Sequence, residues 1–249
     1  QNQEELSIKF QSFSVSFSTV GLPKRTISTT SILTSVKHHR SSYPAISPSR
    51  PKLSQNDRIV LVTGASEGIG YAIAQSFGRA GAAKVIATGR RKGALDAAVA
   101  SLSTSSPQTT FVGRVQDASA VANILDEEGV VVDVLVMNAA SISAPGSILK
   151  LGYQAVLDDF ATNVHEIAAS AHCFYHQSKR DATAQSLINI STGAIHNFDI
   201  AAIKPNYSAS KSAGTVLAQQ IARGVSPDDM QVNSFHWMQS PLIRLEGTS

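Results

Sequence analysis

One cysteine, Cys173, in 249 residues excludes an intrachain disulfide and a thiolate metal cluster, and such sparing use suits a reducing compartment. No stretch approaches the roughly 18 uninterrupted apolar residues of a membrane span, so a membrane-spanning protein is not expected. Acidic residues are missing between Leu6 and Asn56, where Lys9, Lys24, Arg25, Lys37, Arg40, Arg50 and Lys52 stand. The formal charge of +3 therefore belongs to that segment, and the remainder is close to neutral or slightly acidic. A nucleic-acid-binding surface is accordingly not expected. A metal-ligating cluster is missing as well. His38 and His39 lie in the basic segment, and His172 and His176, four apart on an expected helix, lack a third ligand or a His-Glu pair nearby. The latter two read as part of an amphipathic helix face, and no metal is assigned. No internal repeat is evident.

What remains is a chain with 43% hydrophobic residues, enough to bury one α/β core. Residues 1–56 are rich in serine and threonine and end in the Pro/Ser segment SSYPAISPSRPKLS. The alternation in FQSFSVSFSTV meets no following turn or partner strand, so most of this extension is expected to be disordered or loosely attached. Its basic, acid-poor composition also suits an organelle transit peptide, although Glu4 and Glu5 stand near its start. Cytoplasmic location is the expectation, with mitochondrial targeting by the extension as the alternative.

From Arg58 onward apolar runs alternate with helical stretches. Strands are expected at 58–63, 84–89, 109–115, 132–138, 186–191 and 230–235. Helices are expected at 68–81, 92–102, 118–128, 153–179 and 207–224. This alternation predicts a parallel sheet covered on both faces, a doubly wound Rossmann-type α/β fold over residues 57–236. Residues 237–249 form an atypical tail.

TGASEGIG (63–70) falls where the first strand turns into the first helix. Gly64, Gly68 and Gly70 there suit a tight turn and close approach of a ligand, and the helix N-terminus presents N–H groups to a pyrophosphate. The spacing Thr-Gly-x-x-x-Gly-x-Gly resembles the classical short-chain dehydrogenase/reductase family. Four more motifs follow in the family's order: Asn138-Ala139-Ala140 at a strand end, Asn163 in FATNVHE, NIST at 189–192, and Tyr-x-x-x-Lys at Tyr207–Lys211. The resemblance runs from about Tyr43 to His236, and the lead-in before the first strand is similar to that of some fungal members.

The resemblance implies a nicotinamide cofactor held by Gly64, Ser66, Gly68, Ile69, Gly70, Arg90 and Asn138, with Tyr207 and Lys211. After the second strand, Gly89 takes the place of the acidic residue that accompanies NAD, and Arg90, Arg91 and Lys92 follow. A guanidinium suits a 2′-phosphate, so NADP(H) is favoured over NAD(H). Glu67 argues against this, because several NADP-using relatives carry a basic residue at its position. Arg114 and Ala140 also depart from the family's Asp and Gly, with only Asp117 matching the motif around the former.

The resemblance further implies an alcohol–carbonyl interconversion of a small-molecule substrate. Tyr207 would move the proton, and Lys211, one turn along, would supply the positive charge that a phenol of ordinary pKa about 10 needs near neutrality. Thr192 is preferred to Ser191 as the hydroxyl that orients substrate, and Asn163 matches the asparagine of the family's proton relay. The interval from Thr192 to Tyr207 is about two residues longer than usual, so the substrate loop HNFDIAAIKPN is altered. A homodimer through the helices carrying Asn163 and Tyr207 is the family's arrangement. Past His236 the resemblance fails: Trp237 and Met238 occupy its Pro-Gly positions, and its seventh strand is not in view. The alternative reading is therefore a cofactor-binding module without turnover.

Overall fold

A computed structural model of the chain describes residues 43–115, 121–177, 185–196 and 198–237. The tail from Met238 onward, Asp117, His38, His39 and the first 42 residues of the extension lie outside the described residues.

Six parallel strands form one sheet: β1 Ile59–Val62, β2 Lys84–Gly89, β3 Thr110–Val115, β4 Val134–Met137, β5 Gln185–Thr192 and β6 Met230–Trp237. Their spatial order is β3-β2-β1-β4-β5-β6, so the direction of winding reverses between β1 and β4. This is the doubly wound fold expected from the sequence, and it opens a crevice for ligands beyond the carboxyl ends of those two strands. The register aligns Val62 with both Ala87 and Val136, and Met137 with Asn189. The ends of β1, β2, β4 and β5 therefore lie together.

IVLV in β1 and VLVM in β4 are apolar at every position because both sheet faces are covered. On one face Val60, Val62, Val85, Ala87, Val134 and Val136 pack with Ala74 of α1 (Gly68–Arg79) and with Leu95 and Leu102 of α2 (Lys92–Ser105). On the other, Leu61, Ile86, Leu135 and Leu187 meet Ile124 of α3 (Val121–Glu128) and Ile167 and Phe174 of α5 (Glu166–Tyr175). Each of these valine, leucine, isoleucine and phenylalanine side chains stabilises the fold by about 1.5–3 kcal/mol on burial. The sheet ends are thereby fixed as a platform for the loops above them.

Two expectations need correction. The single helix expected over 153–179 is instead α4 (Ile148–Phe160), a π turn Ala161–His165, and α5. Gly152 inside α4 has φ 79° and ψ 163° and breaks the helix after its first turn, while residues 178–184 lie outside the described residues. The segment from Tyr43 to Asn56, grouped by sequence with a loose extension, forms two 3-10 turns, Pro44–Ile46 and Pro51–Leu53. It is tied down where the Gln55 backbone N–H donates to the Ala80 carbonyl at 2.8 Å. After β5 come the short α6 (Phe198–Ile203) and then α7 (Pro205–Gly224), which opens on proline.

Candidate active site

The glycine loop is built onto the end of β4. The buried Thr63 hydroxyl accepts from the backbone N–H groups of Asn138 and Ala139 at 2.9 and 3.0 Å. The Asn138 amide donates in turn to the carbonyls of Thr63 and Gly64 at 3.0 and 3.2 Å. A side chain at Gly70 would place its Cβ 2.2 Å from the Gly64 carbonyl oxygen and 2.5 Å from the Asn138 amide nitrogen. Only glycine allows the helix to start this close to β1. Glu67, the residue before α1, makes no side-chain cap, so the first N–H groups of the helix remain directed at whatever lies beyond them. That donor set fits a pyrophosphate. Ser66 lies against Gly89, and Ile69 is exposed at the mouth of the loop.

The three cations after β2 have different surroundings. Arg91 is paired with Glu67 across the glycine loop at 2.6 Å, and Lys92 with Asp96 at 2.6 Å. Arg90 is exposed and makes no ion pair among the described residues. Arg114 donates to the carbonyl of the preceding Gly113 at 3.3 Å.

Tyr207 and Lys211 share a face of α7, one turn apart. Lys211 is 4% exposed, and its ammonium donates to the Ile190 carbonyl at 2.8 Å. Burial lowers its pKa to about 8. The half-buried Tyr207 phenol is pushed above the usual tyrosine value by burial; hydrogen bonding from Thr192 opposes that rise, and the Asp159 charge adds to it. Successive residues of a strand face opposite ways, so Ser191 and Thr192 diverge. The Ser191 hydroxyl donates to Thr215 on α7 at 2.7 Å, while Thr215 donates to the Lys211 carbonyl. Thr192 is the hydroxyl beside Tyr207.

Asn163 sits in the π turn, 1% exposed. Its amide group both accepts from the Ser141 N–H (3.0 Å) and donates to the Ser141 carbonyl (2.9 Å), and it also donates to Ser210 on α7 (2.9 Å). The Asn163 carbonyl meets α7 at Gly214, where a Cβ would lie 2.3 Å from its oxygen. Behind this clamp the Ser141 hydroxyl donates to buried Asp159 at 2.7 Å. The structure thus sets Thr192 beside Tyr207, joins Asn163 through Ser210 to the Tyr207 backbone carbonyl, and ties Lys211 to β5 at Ile190, with Ser191 turned toward Thr215. Sequence reasoning missed Thr63, Ser141, Asp159 and Ser210. Thr63 opens the Thr-Gly motif and Ser210 lies inside the Tyr-x-x-x-Lys motif, whereas Ser141 and Asp159 left no comparable signal.

Beyond Thr192 the His196 and His236 rings meet at 3.1 Å between nitrogens. A cavity of about 380 Å³ opens between the turn after β5, α6 and the start of α7, lined by alanines 194, 201, 202 and 209, by Ile195 and Pro205, and by the hydroxyl-bearing Ser208 and Ser212, with none of Thr192, Tyr207 or Lys211 in its wall. Among the described residues no group of three or more His, Cys, Asp or Glu could hold a metal ion. None of their helices is long and apolar enough to cross a membrane.

A short chain dehydrogenase/reductase of Claviceps purpurea is 32% identical over 206 residues, covering 80% of this chain and 68% of the relative. Among solved structures, the bulky-bulky ketone specific alcohol dehydrogenase of Comamonas testosteroni superposes with a TM-score of 0.67 at 20% identity, covering 76% of each chain. A short-chain dehydrogenase of Sphingobium yanoikuyae in complex with NADPH gives 0.63 at 23% identity, covering 71% of this chain and 69% of that one. Those two likenesses concern the fold. The model of the short chain dehydrogenase family matches residues 58–237, from the start of β1 to the end of β6 and across every motif just described, and the chain belongs to that family.

Proposed function

We propose that this protein is an NADP(H)-dependent oxidoreductase that interconverts an alcohol and a carbonyl. The observation that carries the reading is the placement of the Tyr207 phenol beside Thr192, with Lys211 buried one turn along the same helix. The nicotinamide, when bound, supplies or takes up the hydride. The remaining work falls to the chain. Gly64, Gly68 and Gly70 admit the pyrophosphate, with Ser66 and Ile69 at the edge of the loop, and Asn138 holds that loop open. Thr192 orients the substrate oxygen, and Tyr207 gives its proton to that oxygen in reduction or takes one in oxidation. Lys211 offers the charge that stabilises the phenolate once formed. Asn163 ties the proton path to the backbone at Ser141.

NADP(H) is supported over NAD(H) by Arg90 and Arg91 at the end of β2, where no carboxylate of the strand competes for a ribose hydroxyl. The NADPH in the Sphingobium structure is in keeping with this.

The test is NADPH oxidation with a panel of ketones and quinones, for the wild type and for Tyr207→Phe. Loss of the phenol proton is expected to lower kcat by about 10²-fold or more. Turnover unchanged in the variant would remove the mechanism. NADPH binding with no turnover on any substrate would leave a cofactor-binding module, the reading favoured by Trp237 at the family's Pro-Gly position.

A further inference from the structure

His196 and His236 have no part in the proton transfer proposed above, yet their rings are brought together from two elements. His196 Nε2 lies 3.1 Å from His236 Nδ1, with the ring centroids 4.8 Å apart. Both residues are exposed, and a hydrogen bond that competes with water adds little to stability. The backbone is what sets the rings side by side. His236 stands on β6 in register with Ser191, one place before Trp237 opposite Thr192. His196 ends the 3-10 turn Gly193–His196, whose first two residues are buried and whose Ala194 N–H donates to Thr192 Oγ1 at 3.3 Å. By contrast, His172 and His176 stack at 4.6 Å between centroids, and no hydrogen bond joins their rings.

The separation of the two nitrogens is that of a chelate. An ion bound by two imidazoles at about 2.0–2.1 Å holds their nitrogens about 2.8–3.4 Å apart as the angle between them opens from octahedral to tetrahedral. The observed 3.1 Å lies inside that range. We propose that His196 and His236 form a binding site for a divalent first-row transition ion such as Zn²⁺, which bridges the turn after Thr192 to the end of β6 and keeps water in its remaining positions.

Imidazole suits zinc, copper and nickel, whereas calcium and magnesium call for oxygen ligands. Each neutral ring ligates through one nitrogen and keeps its proton on the other. In the bonded pair one proton lies between the rings. Moving it to the far nitrogen of the ring that carries it leaves both facing nitrogens free for the ion, with no proton gained or lost. Two protein ligands fall short of the four of a structural zinc centre, in keeping with the absence of any group of three or more ligating side chains among the described residues. The ion therefore exchanges with solvent and braces a turn that the fold has already formed. This site stands apart from the reading of Tyr207 and holds whether or not the protein turns over a carbonyl.

The experiment is a calorimetric titration of the full chain with ZnCl₂ in a buffer that does not chelate, for the wild type, His196→Asn, His236→Asn and the double variant His172→Asn/His176→Asn. Asparagine keeps a polar side chain at these exposed positions and removes the imidazole. Losing a partner of a ligand costs about 10–100-fold in affinity, and losing a ligand itself should cost at least as much. Each single variant is therefore expected to bind Zn²⁺ at least tenfold more weakly than the wild type, with the double variant unchanged at this site. A second readout is the electron paramagnetic resonance spectrum of the chain loaded with one equivalent of Cu²⁺. Coupling to two imidazole nitrogens is expected in the wild type and to one in each single variant. Zinc affinity unaffected by both single variants, or lost only with His172 and His176, would place the ion elsewhere and overturn the proposal. So would a wild type that takes up no zinc at millimolar concentration.

Discussion

Lys211 is where stability and function conflict most plainly. Burial holds its pKa at about 8 against a usual 10.5, and one unit corresponds to about 1.4 kcal/mol, so the charged form is held at a cost on the order of 3 kcal/mol. Between these two pH values the unfolded chain binds more protons than the folded one, so stability rises with pH through that window. Below about 8 the penalty is present in full; above about 10.5 it has gone. Lys211→Met is therefore expected to abolish turnover while raising the stability of the protein without cofactor at pH 7 by about 1–2 kcal/mol, once the lost bond to Ile190 is allowed for. Thermal unfolding across pH 7–10.5 checks this. The gap between variant and wild type should shrink as pH rises, and a variant less stable at pH 7 would show that Lys211 holds the fold rather than burdening it.

At the scale of the element, α7 and the π turn depend on each other. Alanine is a better helix former than glycine by about 1 kcal/mol, so propensity alone predicts that Gly214→Ala stabilises α7. The new Cβ would stand 2.3 Å from the Asn163 carbonyl oxygen and 2.9 Å from Ile167 Cδ1, and backbone cannot give way as a flexible side chain does. The clash should win, costing about 1–3 kcal/mol and displacing Asn163 from Ser141. A lower unfolding midpoint together with reduced turnover is the expected result, and a more stable, fully active variant would show that the π turn is not held by this contact. The same contact explains what sequence could reveal. β2 and the Tyr207–Lys211 face were legible because they follow local periodicity, and the glycine loop because its residue types serve one backbone geometry. The π turn was not, because it is set by a helix some fifty residues away in sequence. The burial of Asp159 was hidden for a similar reason: VLDDF reads as a solvated helix face until Ser141 arrives from the end of β4. Thr192 could be preferred over Ser191 only through the family pattern, since the partner that occupies Ser191 is Thr215 on α7.

On the scale of the whole molecule, the sheet order assembles one site from segments far apart in the chain. Glu67 comes from the loop after β1 and Arg91 from the turn after β2, and their 2.6 Å pair spans the mouth of the cradle whose floor is Asn138 after β4. Both partners are largely exposed, so the pair adds little to stability; its consequence lies in the ligand. A 2′-phosphate must draw Arg91 away from Glu67 or rely on Arg90, whereas a 2′-hydroxyl has no such demand. A cofactor at 100 times its Kd stabilises the folded chain by about 2.7 kcal/mol, or roughly 5–10 °C in a domain of this size. NADPH is expected to give that shift at lower concentration than NADH. Glu67→Gln should widen the preference about two- to fivefold, the range set by one exposed charge contact, and added salt should narrow it again. The measurement is a thermal shift titration of both cofactors against both proteins at two ionic strengths. Equal midpoints for NADPH and NADH in the wild type would remove the assignment of Arg90 and Arg91 to a phosphate. A wild-type preference that Glu67→Gln leaves unchanged would place the phosphate on Arg90 alone.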